Sequence, residues 1–136
     1  MSYSIRSIAG IAPAMAAKLR TEHIRTTEGL LEASKTVKDR KNLAEKLGVD
    51  EQTVLRLANL ADRMRIKGVR EPYAELLKDA GVDTVKELKY RNPSRLAEAM
   101  AAANAKRKRV DQLPTTKRIE HWIERAKKLP PKISYS

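Results

Sequence analysis

The sequence predicts an all-α protein, an internally duplicated helical domain, and three observations carry that expectation. Apolar residues recur at helical spacing along nearly the whole chain, and no alternating run of strand length interrupts them. Prolines and capping residues stand where helices open, and glycines where they close. A short pattern, IAGIAPAMAAKL at residues 8–19, returns as IKGVREPYAELL at 66–77, with the subsequent elements in the same order.

The first half gives its elements in turn. Pro13 occupies a first-turn position ahead of AMAAKLR, where its missing N–H costs nothing. Thr26 or Thr27 caps EGLLEAS, and the helix KDRKNLAEKL stops at Gly48. Asp50 caps EQTVLRLANLADRM, where Val54, Leu57, Ala58, Ala61 and Met64 form one apolar stripe. The second half repeats the order. Pro72 opens YAELLKDA, Gly81 closes it, and Thr84 to Glu87 reads as a capping box. Asn92-Pro93 starts SRLAEAMAAANAKRKR, and Thr115 or Thr116 starts KRIEHWIERAKKL with its stripe Ile119, Trp122, Ile123, Ala126 and Leu129. NLAEKL at 42–47 echoes RLAEAM at 95–100. The expected organisation is a first half at 1–64, a second at 65–130 and a flexible tail at 131–136, with both halves in one compact domain.

Composition bounds the partners. With 136 residues and 41% hydrophobic content the chain can bury a core, but one without phenylalanine and with a single tryptophan. Twenty-nine Lys and Arg face 17 Asp and Glu, a net charge of +12. So basic a small chain is suited to a polyanion, nucleic acid foremost, because cationic side chains release the counterions condensed on phosphates. There is no cysteine, hence neither a disulfide nor a thiolate metal site. No stretch has signal-peptide or membrane-span character, so a cytoplasmic protein is expected.

Aligning the two patterns pairs Ile8 with Ile66, Gly10 with Gly68, Ile11 with Val69, Leu19 with Leu77, Ile24 with Val82 and Thr26 with Thr84. The arrangement resembles the helix-hairpin-helix superfamily, whose pattern is apolar, x, Gly, apolar, Gly, and then a helix with Ala and Leu. GVDTVKEL matches the superfamily's usual continuation. The whole chain is also similar to an uncharacterised bacterial family, a domain of unknown function with duplicated elements of this kind. The superfamily resemblance implies that each hairpin holds a backbone phosphate of duplex DNA without reading sequence. Elementary physics suits that role, since a glycine turn uncovers main-chain amides beside the positive end of a helix. The pattern's second glycine is Ala12 in the first copy and Arg70 in the second. Each adds a Cβ at the turn, and Arg70 offers its own side chain to a phosphate in exchange.

The expected contacts are therefore Gly10, Ile11 and Ala12 with Arg6, Lys18 and Arg20, and Gly68, Val69 and Arg70 with Arg65 and Lys67. Arg25 and Arg63 lie nearby in sequence, and the second turn is expected to bind better through Arg70. Lys106, Arg107, Lys108 and Arg109 form a further basic run at a helix end, where cations also suit the helix dipole. The function expected is sequence-independent, non-enzymatic binding of double-stranded DNA by a nucleoid-associated protein. A protein-interaction scaffold with an acidic partner, or RNA or ribosome binding, is the alternative.

Catalysis has no foothold. His23 stands where the second copy has Gly81, a position calling for left-handed backbone, and His121 lies beside an apolar stripe. No phosphate-cradling glycine loop and no flanked nucleophile occurs, so neither cofactor nor metal is expected. Tyr73 and Trp122 read as core or core-edge groups, the aromatics being too few and dispersed for base stacking.

Overall fold

A computed structural model describes residues 2–135. Its regular structure is helical throughout: a 3-10 turn at Ile5–Ser7, then α1 (Pro13–Thr21), α2 (Thr27–Ala33), α3 (Val37–Leu47), α4 (Glu51–Arg63), α5 (Glu71–Asp79), α6 (Val85–Leu88), α7 (Pro93–Lys106) and α8 (Thr116–Lys128). The one extended pairing among the described residues is an isolated antiparallel bridge between Ser4 and Thr26.

Side chains start most of these helices. The hydroxyls of Thr26, Thr36, Thr84 and Thr115 and the amide oxygen of Asn92 each accept the backbone N–H three residues on. Asp50 does the same for α4, accepting from Thr53 N at 2.8 Å and from the Thr53 hydroxyl at 2.7 Å. Those two bonds, the hydroxyl's foremost, hold its carboxyl below the ordinary Asp range. At Thr84 the capping box is offset: Glu87 N–H donates to Thr84 Oγ1, while Glu87 Oε2 accepts from Asp83 N rather than Thr84 N. Left-handed backbone occurs at Gly48 (φ +70°) and Gly81 (φ +95°), and also at His23 (φ +64°), the non-glycine residue whose alignment with Gly81 requires it.

The chain divides into two compact units, residues up to Asp62 together with Lys132 onward, and Arg63–Pro131. The sequence places its boundary between residues 64 and 65. Arg63 belongs to the second unit because its Nε donates to Ala74 O at 2.8 Å and its Nη1 to Asp83 O at 2.9 Å.

In the first unit α1 packs on α3 and on the 3-10 turn, and α2 packs on α3. Ile5, Ile8, Leu19, Leu30 and Leu47 are buried there. Arg40 shares the buried face of α3 with Leu43, Ala44 and Leu47. Its Nη1 donates to Ser34 O (2.9 Å) and Lys35 O (3.2 Å), and its Nη2 to Ser134 O (2.6 Å). The C-terminal segment, which the sequence leaves loose, is thereby fastened. Ser134 N donates to Lys35 O at 2.8 Å, and the Tyr135 hydroxyl donates to Asn59 Oδ1 at 3.0 Å. The Arg40 guanidinium also lies 5.8 Å from the Tyr135 ring centroid. Arg40→Ala is expected to cost about 2 kcal/mol, because it strands buried carbonyl groups. Urea unfolding would measure the loss, and trypsin or carboxypeptidase would then reach the C-terminal segment faster than in the native chain.

In the second unit α7 packs on α8 and α5, and α6 on α8. Ile66, Val69, Leu77, Leu88, Met100 and Trp122 are among its buried residues. Tyr73 meets Trp122 with ring centroids 5.6 Å apart and planes tilted by 60°. The Arg118 guanidinium covers both, 5.0 Å from the Tyr73 centroid and 5.5 Å from that of Trp122.

Candidate functional site

The two turns singled out by the sequence are built alike. In the first, Ile8 and Ile11 are buried and Ile11 N donates to Ile8 O at 3.1 Å. In the second, Ile66 and Val69 are buried and Val69 N donates to Ile66 O at 3.0 Å. Ile11 and Val69 therefore differ from expectation: both side chains point inward and both amides close their own turn. Gly10, Ala12, Gly68 and Arg70 are exposed, and Gly68 has φ +91°. Ala12 and Arg70 are the N-cap residues of α1 and α5, and neither helix receives a side-chain cap. Each of the other six helices does. The two openings differ in charge. Pro13 leads α1, whose first turn carries no acid, whereas Glu71 and Pro72 lead α5.

The flanking cations divide by unit. In the first, Arg6, Arg20 and Arg25 line a cavity of about 160 Å³ together with Ser4 and Ile5. Lys18 lies elsewhere, its Nζ donating to Leu47 O at 3.1 Å at the end of α3. In the second, Lys67 and Arg70 are exposed at the turn. Arg65 donates to Pro130 O at 2.7 Å, and Arg125 Nη1 donates to Lys67 O at 2.7 Å. Arg63 is 2% exposed and faces inward.

A known family covers this geometry almost completely: the one described as Domain of unknown function (DUF4332) matches residues 9–129. The chain belongs to the DUF4332 family. The matched range takes in both turns and α1 to α8, and leaves Arg6 just outside. No curated protein and no solved structure matches the chain.

The four residues of the basic run in this DUF4332 protein differ in their surroundings. Lys106 ends α7 and Arg107 is exposed beside it. Lys108 pairs with Asp111 at 3.0 Å on the surface. Arg109 is taken up internally: its Nε lies 2.8 Å from Asp79 Oδ2 and its Nη2 3.6 Å from Glu75 Oε2. The hydrogen bond to Asp79 holds the guanidinium even more firmly protonated than usual. Glu75 in turn reaches Arg63 Nη2 at 3.8 Å, so Asp79, Arg109, Glu75 and Arg63 form one charge chain. Asn104 Oδ1 accepts the Arg109 and Val110 amides at 2.8 and 3.2 Å and fixes the bend after α7.

Three side-chain placements escape sequence reasoning. Arg40 left a trace, being the one cation in the apolar stripe of α3. Arg118 sits in the turn before Trp122, a spacing that brings it over the ring. The meeting of Arg25 with Arg6 left none, because it depends on the pairing of Ser4 with Thr26. Among the described residues no helix is long and apolar enough to cross a membrane, and no group of three or more metal-ligating side chains occurs.

Proposed function

We propose that the chain is a duplicated pair of helix-hairpin-helix elements that binds double-stranded DNA without reading its sequence and without catalysis. The correspondence between the two turns supports the duplication. Ile24 N donates to Leu19 O and Val82 N to Leu77 O, both at 2.9 Å. His23 and Gly81 are both left-handed, and Thr26 and Thr84 then cap the next helices.

One observation carries the binding reading. The helices that lack a side-chain cap are the two that come directly after the glycine turns. An uncapped first turn leaves main-chain N–H groups and the positive dipole end for an external anion. Phosphates would meet Ala14 and Met15 at α1, where Pro13 has no N–H and Ile11 is engaged. At α5 the Glu71 carboxylate opposes an anion, and the exposed Lys67 and Arg70 supply the attraction instead. The weight of main-chain capture thus shifts to the first turn, reversing the order of preference read from the sequence. The +12 charge suits the same partner.

Fluorescence anisotropy with several unrelated duplexes at low salt tests this. Lys67→Glu is expected to weaken all of them alike and to lower the salt slope by about one. Loss confined to one sequence, or no duplex binding by the native chain, would refute the proposal.

A further inference from the structure

The cavity beside Arg6, Arg20 and Arg25 is assembled from three separate stretches. Residues 3–5 run antiparallel to residues 25–27, with Ile5 N donating to Arg25 O and Thr27 N to Tyr3 O, both at 2.9 Å. Ile5 is fully buried, which anchors the 3-10 turn that carries Arg6. Arg20 stands in the last turn of α1, and its carbonyl accepts from His23 N at 2.9 Å. The left-handed His23 then turns the chain back, and Arg25 arrives beside Arg6.

Among the described residues no carboxylate pairs with these three arginines. Several buried or partly buried arginines find internal acceptors: Arg40 and Arg63 on carbonyls, Arg91 on Gly81 O at 2.6 Å, Arg109 on Asp79. Among the described residues the guanidiniums of Arg6, Arg20 and Arg25 meet no carboxylate and no hydrogen-bond acceptor, and no acid lines the cavity. Arg6, Arg20 and Arg25 are all exposed and border one small hollow, which concentrates positive charge on that part of the surface. A ligand of matching negative charge is attracted there. The hollow, about 160 Å³ and without an aromatic wall, fits one tetrahedral oxyanion rather than a stacked base. Three arginines exceed the single charge of an internal phosphodiester. A phosphomonoester carries about −1.5 to −2 at pH 7 and offers three acceptor oxygens to guanidinium forks.

We propose that the Arg6–Arg20–Arg25 cavity is a phosphomonoester site, filled by the terminal phosphate of a nucleic acid strand or by a free phosphate group. The site does not depend on the duplex reading of the two turns. The test uses the full chain in two arms. One titrates inorganic phosphate by calorimetry at constant ionic strength. The other compares one duplex carrying 5′-phosphate ends with the same duplex carrying hydroxyl ends. The phosphate-ended duplex is expected to bind about tenfold tighter, a preference that Arg25→Gln abolishes and Lys38→Gln, an exposed change away from the cavity, keeps. If the ends bind alike but inorganic phosphate binds the native chain and not Arg25→Gln, the site stands and its ligand is a free phosphate. The absence of both an end preference and phosphate binding overturns the proposal. The hydroxyl-ended titration at low salt reports separately whether duplex binding itself holds.

Discussion

Raising salt from about 50 to 200 mM is expected to weaken duplex DNA binding roughly a thousandfold. The figure comes from about six phosphates neutralised, each contributing a slope near −0.9 in log affinity against log salt. Six is a modest demand on a chain with 29 cationic side chains, even after the internal ones are set aside. Arg40, Arg63 and Arg109 are committed to carbonyls or carboxylates and contribute nothing to the slope. Arg70, Lys67, Arg107 and Lys106 are exposed in the second unit, and Arg6, Arg20 and Arg25 in the first. The proposed contacts are to phosphate, so the slope should be the same for unrelated sequences. Anisotropy titrations across a potassium chloride series measure it. A flat response would point to a protein partner docked through apolar contact. A steep one that duplex RNA suppresses as well as DNA would move the function to RNA.

Trp122→Ala is expected to destabilise the protein by about 4 kcal/mol, the middle of the range for deleting a buried aromatic. Trp122 is 2% exposed, stacks at an angle on Tyr73 and lies under Arg118, so truncation removes packing on several sides at once. It also undercuts the second turn. A Cβ placed on Gly68 would lie only 3.5 Å from Trp122 Nε1, which puts the indole against that corner of the backbone. Urea unfolding monitored by far-ultraviolet circular dichroism measures the loss, since the variant has no tryptophan left to fluoresce. A change below about 1 kcal/mol would mean that Trp122 is not a keystone of the second unit.

Helix boundaries are legible in the sequence because capping is local chemistry. Thr26, Asp50, Thr84, Asn92 and Thr115 each bond a backbone N–H only three residues away, within reach of sequence inspection. The left-handed backbone at His23 is legible for the same reason, as are the apolar stripes of α4 and α8. The fate of the arginines is not. Sequence reveals a charge but not which carbonyl the fold carries to it, and Arg63 and Arg109 both read as binding residues until their acceptors are seen. Ile11 and Val69 show the same gap at the turns, where a main-chain amide counted as available is already bonded to its neighbour. The fastening of Ser134 to Arg40 spans 94 positions and leaves no local sign.

That last fastening gives the chain an unusual itinerary. The polypeptide leaves its first unit at the end of α4, between Asp62 and Arg63, makes the whole of the second, and comes home to Arg40 and Asn59. The second unit is thus inserted within the sequence of the first. A single nick at the end of α4 would leave both pieces held together through the returning segment.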